Sequence, residues 1–96
     1  MPRRARIMIE ITIYSRPGCH LCEEMMATVQ RAMRLTRQPA RLDEIDISRD
    51  PDLEARYGLE IPVLMVDGRK AAKYRVTEDA VIRLLAARTG EADGAG

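Results

Sequence analysis

Ile7, Ile9, Ile11 and Ile13 alternate with Met8, Glu10, Thr12 and Tyr14, and a Pro17-Gly18 turn then changes the period of the chain. Alternation in β-branched residues is a strand. Beyond the turn, Leu21, Cys22, Met25, Met26, Val29, Ala32 and Met33 recur at helical spacing, with Glu23, Glu24, Gln30, Arg31 and Arg34 on the outer face. This helix runs to about Thr36, Pro39 stops it, and Leu42, Ile45 and Ile47 mark a second strand. Strand, helix and strand over so short a stretch form a parallel crossover unit. The chain is thereby committed to an α/β sheet whose first strand delivers Cys19 at its carboxyl end.

The remaining signals extend the sheet. Asp50-Pro51 reads as an N-cap with proline in the first turn of a short helix that Gly58 ends. Ile61 to Val66 is a strand entered through Pro62, Asp67-Gly68 is a hairpin turn, and Arg69 to Tyr74 returns antiparallel. Thr77 caps a last helix, with Glu78 and Asp79 in its first turn and Val81, Leu84 and Leu85 facing inward. The order βαβαββα predicts a four-stranded mixed sheet with three helices on its faces. Residues 1–6 read as a disordered basic start, 7–88 as one domain and 89–96 as a disordered tail.

At the first strand-helix junction, Cys19 and Cys22 stand three apart in Arg16-Pro17-Gly18-Cys19-His20-Leu21-Cys22. A helix start aims unpaired N–H groups and the positive end of its dipole at the first sulfur, favouring thiolate. The i, i+3 spacing brings the second sulfur onto the same face, within reach of a disulfide. Cys19 is thus the candidate nucleophile and Cys22 its resolving partner. Arg16 and a protonated His20 add to the pull on the Cys19 thiolate, and Glu23 and Glu24 oppose it. A lowered Cys19 pKa is the expectation, with the alternative that Arg16 and His20 are ordinary solvated side chains. As a structural crosslink the pair has little to offer, because a loop over so few residues hardly constrains the unfolded chain.

Composition narrows the functions. The 96 residues carry a net charge of +1, no Trp or Phe and only three Tyr, so Ile, Leu, Val and six Met must build the core. Neither a polyelectrolyte surface for nucleic acid nor an aromatic stacking platform is available. The basic start followed by an apolar run imitates a secretory leader, but Glu10 and Thr12 interrupt it and no small-residue cleavage site follows. The reading is a cytosolic, monomeric protein with no membrane partner. In a reducing compartment the cysteines are catalytic or metal-binding.

Tyr14 to Cys22, Asp46-Ile47 with Asp50-Pro51, and Tyr57-Gly58 followed by Ile61-Pro62-Val63-Leu64 resemble the glutaredoxin-like proteins of the thioredoxin superfamily. The resemblance implies a thioredoxin-like fold and thiol-disulfide oxidoreductase activity. It places the nucleophile on Cys19, the resolving thiol on Cys22 and the neighbouring basic residue on Arg16. It makes Pro62 the cis-proline opposite the active site, with Ile61 meeting substrate through its main chain and Tyr14 beside them in the substrate-binding region. The chain departs from the pattern where glutathione-using members carry Gly-Gly and an acid; here stand Ala71-Ala72-Lys73-Tyr74-Arg75. No acid occupies Ile11 to Ser15, near where thioredoxins bury a carboxylate.

The leading expectation is reduction of protein disulfides or glutathione mixed disulfides by Cys19 attack and Cys22 resolution. It needs no metal or organic cofactor and leaves glutathione open as a co-substrate. Two other readings remain: a redox-sensing or partner-binding module without turnover, and metal or iron-sulfur binding by Cys19, His20 and Cys22 in a dimer. Met25 and Met26 look like soft ligands, but helical spacing assigns them to the core.

Overall fold

The apolar stripe Ile9, Ile11 and Ile13 organises the computed structural model, which describes residues 8–95. It lies on β1 (Ile9–Ser15), whose inward residues are buried at every second position. Against this stripe packs α1 (His20–Thr36) through Met25, Val29 and Ala32. The helix ends where Arg37 turns left-handed and returns its N–H to the Met33 carbonyl.

β1 pairs in parallel with β2 (Ala40–Asp46) and antiparallel with β3 (Val63–Val66), which pairs antiparallel with β4 (Arg69–Lys73). The sheet order is β2-β1-β3-β4, so β1 is central and hydrogen-bonded on both sides. The β3–β4 hairpin turns through Asp67 and Gly68, both at positive φ, as a type I′ turn requires. α2 (Pro51–Tyr57) is capped by the Asp50 carboxylate, which accepts from the N–H groups of Asp52 and Leu53. α3 (Glu78–Ala95) is capped by Thr77 Oγ1, which accepts from the Ala80 N–H. Val81 and Leu85 seat α3 in the core beside Leu64 and Val66. Tyr57 of α2 stacks on Tyr14, on the other face of the sheet from the isoleucine stripe. The architecture is therefore the expected α/β sheet of four mixed strands with three helices.

Two expectations change. Ile47 is not in the second strand; it is fully buried at the start of a 3₁₀ turn, Ile47–Arg49, capped by Asp46. Leu42 and Ile45 do lie in β2, on opposite faces because they are an odd number of residues apart, and Ile45 is left exposed on the edge. The stretch read as a disordered tail, 89–96, is helical as far as Ala95. Gly90 and Gly94 disfavour helix by about 1 kcal/mol each. No proline interrupts the run, and extending an established helix avoids the cost of nucleation. The expectation of a disordered start over 1–6, and Ile7 of the first strand, lie outside the described residues. No helix among the described residues is long and apolar enough to cross a membrane.

Leu64 is fully buried in β3 between the sheet's centre and α3. Leu64→Ala is expected to lower the free energy of unfolding by about 2–5 kcal/mol, the usual cost of an unfilled core site. Urea unfolding followed by circular dichroism would show a lower midpoint at an unaltered slope; an unshifted midpoint would contradict this packing.

Candidate active site

β1 ends at Ser15, the chain turns through Pro17 and Gly18, and α1 begins at His20. The turn is closed by the Cys19 N–H donating to the Arg16 carbonyl at 3.2 Å. Gly18 sits at φ +80, a conformation that a side chain disfavours. This turn leaves Cys19 as the N-cap of α1, where its sulfur accepts from the Cys22 N–H at 3.1 Å. Cys19 and Cys22 are disulfide-bonded, with their Cα atoms 5.2 Å apart. The two sulfurs are not equivalent. Cys19 is half-buried at the rim, whereas Cys22 is only 1% exposed and belongs to the inner face of the helix.

A small cavity of about 280 Å³ opens beside the pair, bounded by Ser15, Arg16 and Gly18 on one side and by Glu44 and Asp46 of β2 on the other. Ser15 is buried and donates its hydroxyl to Glu44 Oε2 at 2.9 Å. Asp46 is held below the ordinary carboxylate range, chiefly by the Ser48 hydroxyl, against a smaller opposing effect of burial. The Ser48 N–H and the Arg49 and Arg16 charges add to the lowering. Sequence reading passed over Ser15 and Glu44 as site residues. Ser15 and Glu44 lie far apart in the chain and meet only because parallel pairing sets Ser15 opposite Asp46 and Ile13 opposite Glu44.

Arg16 lines the cavity but is not a free charge: its guanidinium donates to Glu54 of α2. Gly58, which closes α2, makes room for that pair, since a Cβ there would lie 2.6 Å from the Glu54 carbonyl and 2.9 Å from Glu54 Oε2. His20 points outward, 81% exposed, with Nε2 3.3 Å from Glu24 and Nδ1 3.9 Å from Glu23. Any charge it carries is shared with two carboxylates.

The Ile61-Pro62 bond is cis, and β3 begins immediately after it with Val63 opposite Tyr14. The Ile61-Pro62 segment thus lies at the same end of the sheet as the cysteines. The Pro62 carbonyl accepts from the Tyr74 N–H at 2.8 Å, and the Leu59 carbonyl accepts from the Tyr74 hydroxyl at 3.1 Å. Tyr74 does this at φ +70, a strained setting for an aromatic residue. Glu60, in the same loop, is 2.6 Å from Lys70 of β4. Of the residues singled out from sequence, Arg16, Cys19 and Cys22 share one cavity, and Ile61 and Pro62 stand at the same sheet end. Tyr14 instead packs away from the core stripe, its ring 4.6 Å from that of Tyr57. Among the described residues, no group of three or more His, Cys, Asp or Glu side chains is arranged to hold a metal ion.

A family model described as Glutaredoxin-like domain (DUF836) matches residues 10–86. The chain belongs to this glutaredoxin-like family. A curated relative from Dictyostelium discoideum, described as a glutaredoxin-like protein YDR286C homolog, is 29% identical over 75 residues, covering 74% of this chain and 69% of its own. Protein Ne2328 of Nitrosomonas europaea has a similar solved structure, with a TM-score of 0.70 and 26% identity over 88% of this chain and 99% of its own. Chloroplastic thioredoxin z superposes with a TM-score of 0.71 over 90% of this chain and 82% of its own, at 11% identity, which speaks for the fold alone. The glutaredoxin-like domain here accordingly has the thioredoxin-like fold, with a Cys-x-x-Cys pair within disulfide distance.

Two outcomes follow from the Arg16-Glu54 and Lys70-Glu60 ion pairs. Glu54→Gln removes the partner that neutralises Arg16, so the Cys19 thiol of the reduced protein is expected to titrate at lower pH than in wild type. The pH dependence of iodoacetamide alkylation reads this, and an unmoved profile would mean that Arg16 does not act on the sulfur. Glu60 is held below its usual 4.5, chiefly by the Lys70 hydrogen bond, and Lys70 is held above its usual 10.5, chiefly by the Glu60 hydrogen bond. A depressed carboxyl stabilises the fold above the unfolded value and stops doing so as pH falls through the folded one; the raised amine loses its share as pH climbs past 10.5. Glu60→Gln should therefore be less stable than wild type at neutral pH, with the gap closing as pH drops below 4.5. Thermal melts across pH test this, and a gap that persists in acid would place its origin elsewhere.

Proposed function

We propose that the domain is a thiol-disulfide oxidoreductase in which Cys19 attacks and Cys22 resolves. The observation that carries this reading is the asymmetry of the pair: a half-exposed sulfur capping a helix N-terminus, bonded to a buried sulfur one turn later. A partly exposed sulfur at a helix start has the thiolate character that attack requires, and a buried neighbour is kept for the intramolecular second step.

In the reduced protein the Cys19 thiolate attacks one sulfur of a substrate disulfide. The substrate S–S bond breaks, one substrate thiolate leaves and takes a proton from solvent, and a Cys19-substrate mixed disulfide remains. Cys22 then gives up its proton and attacks Cys19 Sγ, releasing the second substrate thiol and leaving the Cys19-Cys22 disulfide. Burial works against ionisation of Cys22. We assign the role of its proton acceptor to Glu44, positioned by Ser15 in the same cavity. Two electrons from external thiols, those of glutathione or of a reductase, restore the dithiol. The peptide groups of Ile61 make no hydrogen bond among the described residues, which supports a main-chain contact with substrate there. Protein disulfides and glutathione mixed disulfides are the proposed substrates of a monomer working in the cytosol without metal or organic cofactor.

The test is turnover of a glutathione mixed disulfide, and separately of a protein disulfide, by wild type, Cys19→Ser and Cys22→Ser. Cys19→Ser should abolish both activities. Cys22→Ser should accumulate the substrate as a mixed disulfide on Cys19, visible by mass spectrometry. A reduced wild-type protein that exchanges with neither substrate, and a Cys22→Ser variant that traps nothing, would remove the enzymatic reading and favour a partner-binding module.

A further inference from the structure

A cavity larger than the one at the sulfurs lies next to them. It is a groove of about 770 Å³ between the first half of α1, the first turns of α3 and the end of β4. It exists because the residues that face one another across it are small. Thr28, Ala71, Ala72 and Ala80 line it, and the chain has no Phe or Trp to fill the gap. Leu21, Met25, Val76 and Leu84 give it apolar walls.

Two lining residues relate the groove to the redox pair and to the segment that shares its end of the sheet. Leu21 is the residue between His20 and Cys22, so one wall begins within the Cys-x-x-Cys turn. Tyr74, also in the lining, is tied through its N–H and hydroxyl to Pro62 and Leu59. A polypeptide bonded through its own cysteine to Cys19 therefore has this groove beside it.

Charge selects the occupant. Arg75 and Arg83 line the groove, and neither guanidinium has an ion-pair or hydrogen-bond partner among the described residues. The single acid in the lining, Glu24, stands 3.3 Å from His20. Unpaired guanidinium groups beside apolar walls favour a ligand that brings carboxylates along with apolar side chains, because each carboxylate then accepts charge-assisted hydrogen bonds.

We propose that this groove is the recognition site for the protein substrate, and that it takes a segment next to the target cysteine in which apolar and acidic residues are combined. The proposal rests on the oxidoreductase reading for the word substrate, but the binding it predicts does not require turnover.

The experiment uses two disulfide peptides of the same length, one with Leu and Glu beside the cysteine and one with Leu and Lys. Their kcat/KM values are compared as a ratio, in wild type and in the double variant Arg75→Glu, Arg83→Glu. A ratio cancels any change common to both substrates. Wild type should favour the acidic peptide by about tenfold or more, the scale of one charge-assisted hydrogen bond, and the double variant should lose or invert that preference. Equal ratios in the two proteins would overturn the proposal.

A second arm needs no catalysis. Cysteine-free versions of both peptides are titrated into the full chain with NMR detection at Leu21, Thr28, Ala72 and Ala80. Saturable shifts there with the acidic peptide, weakened by charge reversal, support the groove even if no disulfide is reduced, which would count against the oxidoreductase reading alone. Shifts with a fatty acid but not with the peptide, or shifts confined to other residues, would overturn the proposal.

Discussion

Everything at the cysteine-bearing end of this domain depends on how β1 is held. It is hydrogen-bonded to β2 on one edge and to β3 on the other, and its Ile9, Ile11 and Ile13 side chains are pressed under Met25, Val29 and Ala32 of α1. Burial of aliphatic surface of this kind is the dominant favourable term in folding. Here it also sets position. A central strand pinned on both edges and one face cannot slip by one residue without turning its stripe to the wrong side. The turn that follows therefore delivers Cys19 to one place at the end of the sheet.

The same core explains why the two sulfurs differ. Cys22 shares the helix face of Met25 and Val29, so packing that face buries its sulfur, whereas Cys19 precedes the first helical residue and stays at the rim. Around them the charges are arranged less simply than a cationic pocket. Arg16 is answered by Glu54, His20 by Glu23 and Glu24, and β2 brings Glu44 and Asp46 to the opposite wall. With the nearby cations each shared with a carboxylate, the helix terminus stands out as the favourable influence on a Cys19 thiolate.

Much of the architecture was legible because short-range rules agree with the fold. Asp50-Pro51 and Thr77 cap helices, Asp67-Gly68 turns a hairpin, and Pro39 follows a helix that has ended, each for local reasons. Reading failed where a tertiary neighbour decided. Ile47 is buried as strand residues often are, yet it belongs to a 3₁₀ turn that Asp46 caps. The stacking of Tyr14 on Tyr57, from a helix more than forty residues later, likewise has no local signal in the sequence.

The sequence by itself determined the strands, the helices and the place of the Cys-x-x-Cys pair. Those follow from residue periodicity, from caps and turns, and from two cysteines at a strand-helix junction, all of which act within a few residues. Only the tertiary structure decided what surrounds the sulfurs. The Arg16-Glu54 pair, the Ser15-Glu44 contact and the brace of Tyr74 on the loop before β3 join segments from separate parts of the chain. The groove beneath Leu21 is likewise a gap between α1, α3 and β4. Such contacts depend on strand register and helix placement, which are set by the packing of the whole core rather than by any one stretch of sequence.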